Sequence, residues 1–200
     1  MSGYGFIMGK SVNAFLAKAG SLIVELKERA DVSPFIVSEL NALFPKVKEA
    51  MAKIKELETN IESIAKTLKH YDLFQSALGV GPITAATMLV LLCNPEVFKN
   101  GREFAAYIGL APKSSGSGGK NFVTHIPKKC ECNNDVRALL VQCAHSICRC
   151  KHKSDWVSSI LARKPKKVAI IAIANKLARQ LWIMAKKGEK FEKRFILAAV

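Results

Sequence analysis

The sequence predicts an all-α, mostly helical fold: a coiled-coil arm followed by a compact basic helical domain built on a helix-hairpin-helix. Three observations carry that reading. Apolar residues recur every three or four positions through most of the 200 residues, the spacing of a helix with one buried face. A Gly-x-Gly-Pro turn separates two such stretches. Only residues 122–126 read as a short strand. The arm is expected over 1–70 and the basic domain over 71–195.

Taken in order, residues 10–30 have Val12, Phe15, Leu16, Leu22, Ile23 and Leu26 at mixed three and four spacing, which predicts a helix. Ser33-Pro34 then reads as a helix start, with Ser33 as cap and Pro34 at the first helical position. After Pro45, the residues Val47, Ile54, Leu57, Ile61, Ile64 and Leu68 form a heptad seam flanked by Lys53, Lys55, Glu56, Glu58, Glu62 and Lys66. So narrow a seam needs one partner helix, from residues 10–44 or from another chain. A coiled-coil arm, and with it a homo-oligomer, is the favoured reading.

Leu73–Cys93 reads as a helix, the turn Leu78-Gly79-Val80-Gly81-Pro82, and a new helix from Ile83-Thr84. Such a turn can be an ordinary helix–helix connection, or it can let N–H groups at the start of the second helix hold a phosphate. A short helix is expected over Gly101–Leu110, ended by Gly109 and Pro112. Lys113-Ser114-Ser115-Gly116-Ser117-Gly118-Gly119-Lys120 is a loop by composition. Beyond it come the short strand at 122–126, a helix from Asp135 to Arg149, another around Trp156–Arg163, and a long one over Lys166–Lys187 that Gly188 ends. Trp156 reads as core.

Charge divides the chain. Residues 1–98 hold ten basic and ten acidic side chains, whereas residues 99–200 hold 21 basic and six acidic, the whole of the formal +15. A polyanion, nucleic acid first among them, is the partner such a surface selects, a merely solvated basic face being the plainer alternative. No stretch approaches the length of a bilayer span, so no membrane partner is expected. Met1–Gly20 does not read as a signal peptide. The expected place is the cytoplasm, where six cysteines stay reduced.

Ser117, set between glycines and framed by Lys113 and Lys120, can supply a nucleophile, positive charge and N–H donors together, though Gly/Ser loops more often serve as linkers. Cys130 and Cys132, then Cys148 and Cys150, form two C-x-C pairs near His125, Cys143, His145 and His152. Their spacing departs from the usual zinc pattern, so reduced, space-filling cysteines are the reading and no metal is assigned. Asn175, Lys176 and Arg179 share a polar face opposite Ile170, Ile173, Leu177 and Leu181.

Four blocks occur in one order: residues 78–85 (LGVGPITA), 104–112 (FAAYIGLAP), 117–120 (SGGK) and 174–179 (ANKLAR). Together, from about residue 45 to residue 190, they resemble the C-terminal domain of the insertion-sequence transposases that join a DEDD nuclease-like domain to a catalytic serine, the bridge-RNA-guided recombinases. The resemblance implies DNA transposition and recombination. It makes Ser117 the nucleophile on a DNA phosphate; Ser114 and Ser115 lie too early. Lys113 and Lys120 would supply charge near that phosphate, and Gly79, Gly81 and Thr84 the hairpin phosphate site. Lys128, Lys129, Arg137, Lys176 and Arg179 would hold nucleic-acid backbone, DNA or a guide RNA, in a bacterial nucleoid setting. Magnesium is expected in the carboxylate domain and no cofactor in this chain. Two departures stand out. Residues 1–44 are too short for the nuclease-like domain and show no strand pattern. Lys128-Lys129 also runs into Cys130-Glu131-Cys132-Asn133-Asn134 where the family has a glycine turn. The alternative from another class is a non-catalytic nucleic-acid-binding fragment, a regulator of a full-length transposase or a relic.

Overall fold

The computed structural model describes residues 11–29, 31–112, 114–117, 120–123, 133–151 and 153–190. They form a predominantly helical protein with one two-stranded antiparallel hairpin. It divides into two compact units, Met1–Asn60 and Ile61–Val200.

In the first unit α1 (Val12–Glu28) is capped by Ser11, whose side chain accepts from the Ala14 N–H. The Ser33 carbonyl accepts from Ile36 and Val37 as α2 (Pro34–Lys66) begins, with proline at its first position. Its small core is Leu26, Val32 and Val37, with Leu40 against them. The helix runs on through Pro45. All six seam residues are exposed, from Val47 at 37% to Ile64 at 63%.

The second unit is built around α8 (Lys166–Lys187). By length and composition alone this helix, with a mean hydropathy of 1.4, could cross a membrane, which corrects the expectation that no stretch qualifies. Its apolar side chains are instead spent on the core, with Ala169, Ile170, Ile173, Ala174, Leu177, Ala178, Leu181 and Met184 buried. Gly188, in the left-handed region at φ 69°, ends it by donating to the Met184 carbonyl. Around it lie α3 (Tyr71–Gln75), α4 (Pro82–Leu91), α5 (Gly101–Tyr107), α6 (Asn134–Arg149) and α7 (Asp155–Arg163). Asn100, Asn133 and Ser154 cap the last three. A 3-10 turn at Pro95–Val97 is tied to α8 by the Trp182 indole, which donates to the Pro95 carbonyl at 2.9 Å.

The loop expected at 113–120 is the chief correction. Residues Ser114–Ser117 (β1) pair antiparallel with Lys120–Val123 (β2), Ser117 opposite Lys120. A Gly-Gly step between two short runs is the composition of a two-residue hairpin connection, and that pairing competes successfully with loop-like composition. The strand expected at 122–126 is described only to Val123 and begins earlier, at Lys120.

Candidate functional site

The site is assembled from three backbone devices that converge on α6 and α8. The first is the glycine turn. Gly79 has φ 81°, a conformation that L side chains rarely adopt. A Cβ there would lie 2.7 Å from the Ile147 side chain and 2.8 Å from the Cys143 carbonyl oxygen. The bare backbone is what lets the turn lie on α6. Gly81 is the N-cap of α4 and has open space around it. Thr84 is buried, its hydroxyl 3.5 Å from the Cys143 sulfur. Burial pushes the Cys143 thiol above its ordinary value, and the Thr84 hydroxyl and the Gly81 N–H pull it only partly back. Of the three hairpin residues, then, Gly79 and Thr84 turn toward α6, and Gly81 stands at the open start of α4.

The second device ends α5. The Gly109 N–H donates to the Ala106 carbonyl and the Leu110 N–H to the Ala105 carbonyl, both at 2.9 Å, with Gly109 at φ 78°. This is a Schellman motif, and it reverses the chain so that Leu110 is buried. The third device anchors the chain just beyond that reversal. Asn175 of α8 donates from its side-chain amide to the Leu110 carbonyl at 3.1 Å. Four residues later β1 begins, and at its end Ser117 lies in register with Lys120, two glycines apart. On the other flank α5 meets α8 so closely at Gly101 that a Cβ there would sit 3.2 Å from the Arg179 Cα and carbonyl oxygen.

The predicted site residues fall into three groups. Ser117 and Lys120 are brought together as register partners. Lys113, Lys128 and Lys129 lie outside the described residues, as do Cys130, Cys132, His125 and His152 of the cysteine–histidine cluster. Arg137, Lys176 and Arg179 lie on α6 and α8. Arg137, half-buried, donates to the Asn134 side chain at 2.8 Å. Arg179 is half-buried too. Lys176 is not the exposed cation that its polar face suggests. It is 9% exposed, with its ammonium 4.0 Å from the centre of the Trp156 ring. Burial first, then the charge of Arg179, lowers its pKa. Trp156, expected in the core, is partly exposed and serves as the plate under that amine.

Sequence reasoning missed the tie from Asn175 to Leu110 and the close approach at Gly101. The signal for the first was present, since Asn175 lies in one of the recurring blocks, but its partner is 65 residues away. Among the described residues no three His, Cys, Asp or Glu side chains gather as a metal site.

Comparison with known proteins places this geometry. Residues 71–157, from α3 to the first turns of α7, match the family described as Transposase IS116/IS110/IS902 family. A Sinorhizobium fredii protein, "Putative transposase y4pF/y4sB", is 32% identical over 197 residues, 94% of this chain and 50% of that protein. The "Transposase for insertion sequence element IS1328" of Yersinia enterocolitica is 29% identical over 176 residues, covering 86% and 52%. The "Transposase for insertion sequence element IS1111A" of Coxiella burnetii is 26% identical over 193 residues, covering 94% and 52%. The chain spans about half the length of the curated relatives it matches. Residues 71–157 are thus similar to the IS116/IS110/IS902 transposase family, and nearly the whole chain is similar to proteins named as transposases, two of them of insertion-sequence elements.

Proposed function

We propose that this chain supplies the DNA-binding, serine-bearing part of a transposase, corresponding to the C-terminal half of its relatives, with Ser117 as the nucleophile in strand transfer. The observation that carries the reading is the hairpin: Ser117 and Lys120 are register partners across its two strands, a few residues beyond the Leu110 anchor held by Asn175. In the reaction the Ser117 hydroxyl gives up its proton and its oxygen forms an ester bond to a DNA phosphorus. The bond from that phosphorus to a deoxyribose oxygen breaks, and the departing hydroxyl takes a proton. One phosphate ester replaces another, so the bond energy needed to reseal DNA is kept and no energy-rich cofactor is needed. Lys113 and Lys120 offset charge growing on the non-bridging oxygens. Gly79, Gly81 and Thr84 shape the turn at the start of α4, where backbone N–H groups suit a phosphate. Lys128, Lys129, Arg137 and Arg179 hold nucleic-acid backbone, and Lys176 steadies α7 from behind through Trp156. The α2 seam joins two copies.

The test is a Ser117→Ala variant of the encoded protein, incubated with element-end DNA and a divalent cation. Retained DNA binding with loss of an SDS-resistant protein–DNA adduct is the expected result. An adduct formed undiminished by the variant overturns the assignment.

A further inference from the structure

Seven cations fall between positions 149 and 167, with Asp155 the single acid there. Arg149, Lys151 and Lys153 lie at and after the end of α6, while Arg163, Lys164, Lys166 and Lys167 bracket Pro165 between α7 and α8. All are exposed except the half-buried Lys153. The nine-residue α7, roughly 13 Å long, is all that separates the two groups, which share the corner where the charges of Lys153 and Lys166 both reach the Cys148 thiol near the end of α6. The ion pairs among the described residues are Arg29–Asp31, Lys53–Glu56, Lys66–Glu62 and Lys186–Glu96; they leave all seven out.

This placement opposes the fold's own electrostatics. Lys166 and Lys167 occupy the first turn of α8, the positive end of its helix dipole, where acidic side chains are favoured. That turn has no acidic residue, and Pro165 gives it no side-chain cap. Cations crowded there repel one another and the helix end, so the corner gains most when an external anion meets it. The charges come from exposed positions on separate chain segments. That suits a polymer with a charge about every 1.7 Å of duplex axis better than a single small anion.

We propose that the corner formed by the end of α6, the α7–α8 junction and the start of α8 is a docking surface for the phosphodiester backbone of duplex DNA. It rests on the reading that the chain acts on nucleic acid and adds a contact surface separate in sequence from the Ser117 hairpin. Duplex DNA and folded RNA share the chemistry, and both serve as probes.

The test uses the full chain, a labelled 30-base-pair duplex and a labelled hairpin RNA, with affinity followed across salt concentrations. Lys166→Glu/Lys167→Glu is compared with Lys18→Glu/Lys55→Glu, which changes net charge equally in the charge-balanced half. For duplex, removal of two phosphate contacts is expected to lower the log-log salt slope by about 2 and affinity at least ~10-fold near 0.1 M salt. Because glutamates suit the start of α8, the same variant is expected to melt at the same or a higher temperature. That combination separates a docking role from damage to the fold. Loss on the duplex with the control pair unaffected supports the proposal; loss on the RNA alone overturns the assignment to duplex DNA. A wild-type chain that binds while both variants bind equally well overturns this surface and leaves the transposase reading standing. A wild-type chain that binds neither probe overturns both.

Discussion

At Gly79 a single hydrogen atom decides whether the turn can lie on α6. Two penalties coincide: a left-handed backbone and a Cβ within 2.8 Å of a carbonyl oxygen that cannot move without α6. Gly79→Ala is expected to cost about 2–4 kcal/mol, read from chemical denaturation. A loss under about 0.5 kcal/mol would mean that the turn re-forms elsewhere. Asn175→Leu should cost about 1–2 kcal/mol by orphaning the Leu110 carbonyl. It should also lower adduct formation more than DNA binding, since the tie positions the ribbon that carries Ser117. Equal loss of both would make Asn175 only a structural residue. Cys143 offers a pH test. Its thiol is held above the ordinary value, so the folded protein favours the protonated form. That stabilisation is present below the ordinary thiol value and fades as pH rises through the raised one. Exposed Cys93 should react quickly with a thiol reagent at mildly alkaline pH and Cys143 only upon unfolding.

At the scale of elements, the helices were legible because each needs only its own periodicity and caps. The expected end of α8 at Gly188 coincides with the observed one, and α6 begins one residue before its expected start. The 113–120 stretch was not legible, since a two-stranded ribbon is defined by pairing between segments and its composition matches that of a linker. Lys176 was misleading for a related reason. A helical wheel gives it a polar face, but only the path of α7 brings Trp156 to cover it. The site divides in the same way: the Ser117–Lys120 spacing could be read from sequence, whereas the moorings at Leu110 and Cys143 depend on partners some 60 residues distant. The exposed seam of α2 yields its own prediction. Leu57→Lys with Ile64→Lys should convert an oligomer to a monomer by analytical ultracentrifugation with helix content retained. A wild-type chain that sediments as a monomer at tens of micromolar removes the seam's proposed role.

For the whole molecule, the division of charge governs behaviour. A neutral front half and a back half bearing the entire +15 place the charge that the proposed binding of polyanions needs at one end of the sequence. Binding of nonspecific duplex should therefore weaken steeply with salt, and a fragment of residues 1–60, itself a compact unit, should not bind. Retention of duplex by that fragment would show that affinity does not follow charge.

Pro45 gives the arm a mechanical character. It has no N–H for the Asn41 carbonyl, and its ring presses on that turn, so α2 loses a rung there while the helix continues on both sides. Before it, Val37 and Leu40 are braced by packing; after it, Val47, Ile54, Leu57, Ile61 and Ile64 lie exposed until Ala65 is buried in the second unit's core. A helix that lacks one rung bends most readily there. The arm helix thus has a built-in weak point, and Pro45→Ala would restore the missing rung without altering a single seam residue.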